Sequence, residues 1–383
     1  MTSFGLALPR RVLFGPGRGA ELPGLLPPLG QRVLLCTGRH PSRHGHLLGD
    51  VDPVAVVTVA HEPTVDDVRA ATDDARRAGA DVVVAIGGGS VLDLGKAVAV
   101  LLGNGTDPLD HLEVVGRGAP IERPSLPFVA VPTTAGTGAE VTANAPLRSP
   151  EHGVKASIRS PHLLAAVALV DPLLTLSCPP AVTASSGLDA LTQCLEPYVS
   201  PQANPASDAF ATEGLRRGAR ALRTAYEHGD DPWAREEMAL ASMFGGIALA
   251  NAKLGAVHGL AGVIGGMVDA PHGAICAALL APTVEANLRA LREQAPDSPA
   301  LHRYDEAARL LTGHGDADAG DAVTWLRDIV AVLGVPGLGA LGLSTAQHDE
   351  VAGKAARSSS MQGNPVPLRH EDLLAVLEAA SGS

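Results

Sequence analysis

A carboxylate and a carboxamide lie one helical turn apart in the segment SGLDALTQCLEPY. The segment is rich in small and apolar residues and predicts a helix, on which Asp189 and Gln193 are neighbours because side chains four positions apart share a face. A later segment rich in small residues carries His258 and His272. Neutral imidazole and carboxylate are ligands of Zn²⁺ and Fe²⁺. These side chains together predict a site in a helical region that is poor in charge.

Three glycines follow an apolar run and precede a helical pattern in the segment AIGGGSVLDLGKA, residues 85–97. Glycine lets the backbone pass close to a ligand, and a helix N-terminus offers unpaired N–H groups to a phosphate. The segment lacks the GxGxxG spacing of the common dinucleotide fingerprint, and a tight turn without a ligand is the alternative. We predict a pyrophosphate site formed by Gly87, Gly88, Gly89 and Ser90.

A second polar loop follows the apolar run of VAVPTTAGTGAEVT, residues 129–142. Its hydroxyls and exposed amides suit phosphate and ribose oxygens. A dinucleotide, unlike a single phosphate, needs two such loops side by side. We therefore predict that Thr133, Thr134 and Thr137 also contact a dinucleotide.

The pattern along the chain changes near residue 178. Before it, continuous apolar runs alternate with amphipathic stretches, which is typical of a parallel sheet covered on both faces. After it, Ala/Leu-rich helical patterns cover residues 182–198, 205–226 and 233–251. We predict an α/β, doubly wound dinucleotide-binding domain over residues 1–178 and an all-α domain over 179–383.

The charge and composition exclude several classes of partner. The 383 residues include 29 Lys+Arg and 41 Asp+Glu, a formal net charge of −12, which disfavours nucleic acid and anionic membrane surfaces. No apolar run is long enough to predict a membrane span, and no targeting segment is evident. Four widely spaced cysteines without a CxxC pair predict reduced thiols in a cytoplasmic protein.

The glycine segment, the threonine loop and the segment with the two histidines follow one another along the chain in this order. Together they resemble the iron-containing (group III) alcohol dehydrogenase family, which includes maleylacetate reductases and is related to dehydroquinate synthases. The family pattern GGGSxxDxxK is met in full by residues 87–96, including Asp93 and Lys96, and the resemblance implies that Asp93 is one of the cofactor-binding residues. The pattern PTTxGTG is met by residues 132–138, with Glu140 following. The resemblance runs through nearly the whole chain. It implies the dehydroquinate synthase-like fold, with NAD(P) whose nicotinamide faces a metal.

The resemblance also implies a metal site, from which this sequence departs. The family ligands are an Asp, a His four residues on, and two His spaced fourteen apart; Asp189, His258 and His272 match three of them. Gln193 stands where the fourth is expected, and Gly262 stands where family members commonly have a His that faces the substrate. A carboxamide oxygen is a weak ligand compared with imidazole.

Three interpretations of this site follow. Asp189, Gln193, His258 and His272 hold Fe²⁺ or Zn²⁺ weakly; or the same residues bind substrate without a metal; or they are a structural remnant. With a metal, the ion acts as a Lewis acid on the alcohol or carbonyl oxygen. Without one, a protonated His258 or His272 donates to the developing alkoxide and Asp189 orients the imidazole.

The cofactor is expected to be NAD(P)H without a clear preference. A carboxylate after the first sheet strand normally binds the adenosine ribose and rejects a 2′-phosphate. Here Gly38 takes that position and Arg39 follows, which suits NADPH at least as well as NADH. The resemblance also implies that Lys155 lies near the nicotinamide ribose.

The predicted function is therefore an NAD(P)-dependent oxidoreductase that interconverts an alcohol and an aldehyde or ketone. One alternative is a metal-independent reductase of an activated carbonyl or keto acid, similar to maleylacetate reductases. Alternatives of another class are a dehydroquinate-synthase-like lyase and a non-catalytic cofactor-binding protein. The expected partners are a small alcohol or carbonyl substrate and, from the resemblance, further copies of the chain in a homodimer or higher oligomer.

Overall fold

The computed structural model describes residues 3–382, which divide into two compact units. The α/β unit comprises Ala7–Thr134 and Gly138–Ser177; the helical unit comprises the chain from Cys178 onward, with Ala135–Thr137 and the segment that ends at Leu6. The predicted split at residue 178 assigns those two short segments differently. Ala135–Thr137 belongs to the helical unit because Gly136 packs on α5, which begins at Pro180.

The α/β unit is built on a parallel sheet with the strand order β1-β8-β5-β4-β2-β3 and a separate antiparallel pair, β6 and β7. The strands are β1 Val12–Phe14, β2 Val33–Thr37, β3 Ala55–Thr58, β4 Val82–Gly87, β5 Phe128–Pro132, β6 Asn144–Ser149, β7 Val154–Arg159 and β8 Val167–Val170. The α-helices of this unit are α1 Leu22–Leu25, α2 Val65–Ala78, α3 Gly89–Asn104 and α4 Pro108–His111.

The central strands of the sheet are buried along their whole length. Every residue of β2, β4 and β5 is buried, and the three strands read as near-continuous runs of Val, Leu, Ile and Ala. Such strands need cover on both faces, and separate clusters of apolar side chains pack on either face of the sheet. The predicted doubly wound α/β fold is confirmed.

The order of the strands reverses between β2 and β4. The chain runs from β2 outward to β3 on one side, and from β4 outward to β5 on the other. In open α/β sheets, ligands bind beyond the carboxyl ends of the strands at such a reversal. The segments that follow β2, β4 and β5 therefore lie at the edge of the sheet where a ligand is expected.

The helical unit consists of consecutive helices around one apolar core. They are α5 Pro180–Val199, α6 Pro205–Glu227, α7 Pro232–Ala252, α8 Ala256–Met267, α9 His272–Gln294, α10 Pro299–Thr312, α11 Ala319–Val332, α12 His348–Ala355 and α13 His370–Ala380. Five of these helices, α5, α6, α7, α9 and α10, have proline in their first turn or inside the helix, and Asn204 caps α6 with its side chain. The predicted all-α architecture of this part of the chain is confirmed.

One helix differs from the expectation that no apolar run reaches the length of a membrane span. In the described residues, α9 is long and apolar enough by length and composition, with a mean hydropathy of 1.3, and so is the bent pair α7 and α8. However, 83% of the apolar window of α9 is buried inside the protein. Its apolar character is therefore that of a core helix that other helices surround.

Candidate functional site

Those parts of the two predicted dinucleotide loops that belong to the α/β unit lie side by side. β4 ends at Gly87, Gly88 is the N-cap of α3, and no side chain among the described residues caps this helix N-terminus. The backbone N–H of Thr133, after β5, donates to Gly87 O at 2.9 Å. A Cβ added to Gly87 would lie 2.5 Å from Val91 Cγ2, so only glycine fits the turn. An uncapped helix N-terminus beside a hydroxyl-bearing loop suits a phosphate group.

The segment after β2 completes this edge of the sheet. β2 pairs with β4, so Gly38 and Arg39 follow the strand next to the glycine loop. Gly38 is half-buried and Arg39 is exposed. A Cβ at Gly38 would meet nothing within 4 Å among the described residues. The position therefore has room for a ligand or a larger side chain.

Two residues predicted to bind the cofactor also have protein partners. Asp93 is buried inside α3 and forms an ion pair with Lys96 at 2.8 Å; its burial raises its pKa, against the attraction of Lys96. Lys155 Nζ lies 2.8 Å from a carboxylate oxygen of Glu62, and its side chain is 9% exposed. Lys155 is thus no solvated surface lysine. For both residues, contact with a cofactor stays a prediction.

The predicted site residues of the helical unit come together at the junction of three helices. Asp189 lies on α5, His258 lies on α8, and His272 is the first residue of α9. His258 Nε2 is 3.4 Å from Asp189 Oδ1, and the two imidazole rings have their centroids 5.5 Å apart. Asp189 and His258 are both more than nine-tenths buried. Helix packing thus joins residues that are up to 83 positions apart in sequence.

Cys276 is a fourth member of this cluster that the sequence reasoning missed. One donor atom from each of Asp189, His258, His272 and Cys276 lies within 4.8 Å of the others, and Cys276 Sγ is 3.5 Å from His272 Nε2. The signal was present, because Cys276 follows His272 by four residues, one turn along α9. We call these four residues the donor cluster.

Glu196 was also missed, although it lies in the same quoted segment as Asp189. It follows Asp189 by seven residues, two turns along α5, and therefore points to the same side of the helix. One of its carboxylate oxygens accepts a hydrogen bond from His258 Nδ1 at 2.7 Å, and the other accepts from the backbone N–H of Val257 at 2.7 Å. Glu196 thereby fixes the orientation of the His258 ring.

Gln193, the predicted fourth ligand, is held by a different contact. Its side-chain amide donates from Nε2 to Gly136 O at 3.1 Å, and the residue is buried. A Cβ on Gly136 would lie 2.6 Å from Ser186 Cβ, so this part of the loop packs closely on α5. Coordination through the amide oxygen of Gln193 stays a prediction. The structure adds a thiol to the cluster that the sequence analysis did not consider.

The electrostatics of the cluster favour a charged Asp189, a charged His258 and a neutral Cys276 thiol. Burial opposes ionisation of Asp189, but the proximity of His258, at 3.4 Å, and the charge of His272 outweigh it and lower the pKa of Asp189. Burial also opposes protonation of His258, yet the fields of Cys276 and Glu196 and the bond to Asp189 raise its pKa well above the usual value. Burial raises the pKa of the Cys276 thiol to about 12.

The donor cluster fits a divalent cation. Within the described part of the chain, Asp189 Oδ1 is a buried carboxylate oxygen without a hydrogen bond of acceptable geometry, which is costly unless a cation or a proton donor satisfies it. The donors are of the types that zinc and iron bind, and the His258 ring has the carboxylate support typical of metal-binding histidines. The residues that would hold the ion are those of the donor cluster.

Comparisons with known proteins agree with this architecture. The model of the iron-containing alcohol dehydrogenase family matches residues 9–172, and the model of the C-terminal part of Fe-containing alcohol dehydrogenases matches residues 183–381. Alcohol dehydrogenase 4 of Saccharomyces cerevisiae is 36% identical over 320 residues, which cover 83% of this chain and 80% of that protein.

Solved structures are similar over the whole chain. The crystal structure of a 1,3-propanediol oxidoreductase has a TM-score of 0.88 at 32% identity and covers 99% of this chain and 100% of its own. The structure of sulfoacetaldehyde reductase from Bifidobacterium kashiwanohense in complex with NAD⁺ has a TM-score of 0.86 at 28% identity and covers all of both chains.

The fold and the donor cluster are those of an oxidoreductase. Its α/β unit has the architecture of a dinucleotide-binding domain, and its helical unit contains the buried donor cluster. The chain belongs to the iron-containing alcohol dehydrogenase family. It is an enzyme that interconverts alcohols with aldehydes or ketones, as the sequence predicts. The lyase and non-catalytic alternatives are not needed to explain the chain.

Proposed function

We propose that the enzyme uses a nicotinamide dinucleotide bound by the α/β unit and a divalent cation bound by the donor cluster. The observation that carries the proposal is the donor cluster itself, with four donor atoms within 4.8 Å of one another and a buried carboxylate oxygen without a hydrogen bond among the described residues. The NAD⁺ bound by the sulfoacetaldehyde reductase of the same fold supports the dinucleotide part of the proposal.

The dinucleotide and the cation contribute differently from the protein to the proposed reaction. When bound, the dinucleotide exchanges hydride with the substrate carbon and the cation withdraws electron density from the substrate oxygen. The N-terminus of α3 and the loop after β5 bind and orient the dinucleotide. Glu196 accepts a hydrogen bond from Nδ1–H of His258, so that Nε2 of the same ring faces Asp189. The chain thus orients its donor atoms before any ligand arrives.

We further propose that the enzyme accepts both NADH and NADPH and works in the cytoplasm as a homodimer. Gly38 leaves space where a carboxylate would reject a 2′-phosphate, and Arg39 beside it is exposed and positively charged. The described cysteines are free thiols, which supports a reducing compartment. Exposed apolar side chains near the N-terminus support self-association.

The test is turnover measured together with metal content. Protein purified without chelator is analysed for metals and assayed for oxidation of NADH and NADPH with a panel of aldehydes and ketones, before and after treatment with EDTA. We expect carbonyl-dependent oxidation of the reduced dinucleotide that EDTA abolishes and Zn²⁺ or Fe²⁺ restores. Tight binding of a dinucleotide without turnover of any carbonyl compound would contradict the proposed reaction.

A further inference from the structure

We propose that Cys276 is a thiolate ligand of the metal and that Asp189, His258, His272 and Cys276 form a centre suited to Zn²⁺. The inference deepens the proposed function and rests on it only for the catalytic role of the ion. The binding of the ion itself is argued from the donor cluster alone. In this centre, Cys276 on α9 supplies the fourth donor, where the sequence predicts Gln193.

The distances within the cluster match those of a tetrahedral centre. With Zn–S of about 2.3 Å and Zn–N and Zn–O of about 2.0 Å, tetrahedral angles place sulfur and nitrogen roughly 3.5 Å apart and nitrogen and oxygen roughly 3.3 Å apart. Cys276 Sγ lies 3.5 Å from His272 Nε2, and His258 Nε2 lies 3.4 Å from Asp189 Oδ1. Two edges of the tetrahedron are therefore already formed.

The chemistry of the donors favours zinc over iron. A set of one thiolate, two imidazoles and one carboxylate is softer than a set with a carboxamide oxygen in the fourth place, and softer ligands select Zn²⁺. Ferrous iron also binds a given site less tightly than zinc in the usual order of stability. When the ion binds, Cys276 Sγ and His258 Nε2 each lose a proton to solvent, and a metal–sulfur and a metal–nitrogen bond form in place of the S–H and N–H bonds.

Gln193 is the weaker candidate for the fourth ligand. Its Nε2 is hydrogen-bonded to Gly136 O, so its amide is already tied to the loop of Ala135–Thr137. A neutral amide oxygen would add no charge to offset that of the cation. A thiolate adds a full negative charge, and Cys276 is fully buried, where charge attraction is screened least.

The inference can be tested with cobalt, which replaces zinc and reports its ligands by colour. Metal-free protein, prepared by dialysis against a chelator, is titrated with Co²⁺ and its absorption spectrum is recorded. We expect one Co²⁺ per chain, an intense near-ultraviolet band from thiolate-to-cobalt charge transfer, and the visible bands of tetrahedral cobalt. Zn²⁺ should displace the cobalt and bleach both sets of bands.

Three variants separate the candidate ligands. Cys276→Ser should lose the thiolate band and bind Zn²⁺ more weakly by more than the roughly 10- to 100-fold that loss of an outer hydrogen-bond partner costs. Gln193→Ala should keep the band and the stoichiometry. Cys194→Ser is the matched control, because Cys194 is another fully buried thiol of the helical unit whose contact is Ala241 O, and it should keep the band.

The results distinguish this inference from the proposed function. A wild-type cobalt spectrum without a thiolate band would overturn the inference, even if Cys276→Ser failed to fold. An unchanged band and affinity in Cys276→Ser would do the same. Turnover that EDTA abolishes, in a protein without the band, would leave the proposed function standing and refute the ligand. A thiolate band in a protein that reduces no carbonyl compound would support Cys276 as a ligand and contradict the proposed function.

Discussion

Glu196 lies outside the donor cluster but orients one of its members, His258. Its two carboxylate oxygens accept from His258 Nδ1 and from the N–H of Val257, so it joins α5 to the first turn of α8. Partners of this kind hold the metal-binding nitrogen in place and make the imidazole more basic. We therefore assign Glu196 a positioning role.

Replacing Glu196 should weaken metal binding more than it weakens the fold. In Glu196→Ala, the His258 ring loses its support, and Zn²⁺ affinity should fall roughly 10- to 100-fold. Glu196→Gln keeps an oxygen that can accept one of the two bonds and should lose less. The measurement is a competition titration with a chromophoric chelator, with thermal unfolding of the metal-free protein in parallel. Equal zinc affinity in wild type and Glu196→Ala would show that the ring needs no such support.

Helix α3 combines the glycine turn with a buried ion pair that fastens it to its surroundings. Lys96 is 1% exposed, pairs with Asp93, and donates to Thr142 Oγ1 at 2.9 Å and to the carbonyl of Asn144 at the start of β6. The pair therefore connects α3, the helix that follows the glycine turn, to the residues that follow the threonine loop. The ion pair gives the Asp and Lys of the sequence motif a structural role, and contact of Asp93 with a cofactor stays a prediction.

Breaking that pair should destabilise the protein strongly. Lys96→Met leaves Asp93 buried and unpaired, and such a change costs about 3–5 kcal/mol of unfolding free energy. Adding Asp93→Asn to Lys96→Met removes the charge and should recover part of the loss. Lys354→Met is the control, because Lys354 pairs with Glu350 on the surface and should change stability by less than ~1 kcal/mol. Urea unfolding gives the unfolding free energy of all four proteins. A Lys96→Met variant as stable as the Lys354→Met control would refute the stabilising role of the buried ion pair.

The molecule as a whole exposes apolar side chains at its N-terminal end. Phe4, Leu6 and Leu8 alternate with other residues in a segment without regular secondary structure and are 48%, 47% and 37% exposed. β1 follows this segment, and in the described sheet it is an edge strand that pairs only with β8. An alternating apolar segment beside an open edge is suited to pairing with another chain. These features motivate the proposed homodimer.

The dimer should depend on those side chains. We expect light scattering after size exclusion to give twice the mass of the 39.0 kDa chain for the wild type. Leu6→Asp should yield monomers, because a buried, unpaired carboxylate at an apolar interface is costly. Val114→Asp is the control, since Val114 is 82% exposed and lies far along the sequence from that segment. A monomeric wild type, or a Leu6→Asp variant that stays dimeric, would contradict this interface.

Asp189, His258 and His272 were grouped by their residue types and by the family resemblance. Local patterns were enough to predict the fold and the glycine and threonine loops. The reason is that runs of buried strands, glycine turns and helix-period spacing reflect short-range geometry that each segment carries in its own residues. The fourth donor was visible in the sequence only as a four-residue spacing from His272. Cys276 resembles any small buried residue in sequence, and Gln193 stands where the family has a ligand. The four-residue spacing along α9 places Cys276 Sγ near His272. Only the packing of α5, α8 and α9 brings this pair to Asp189 and His258, and the carboxylate of Glu196 to His258, because such contacts depend on how separate helices cross.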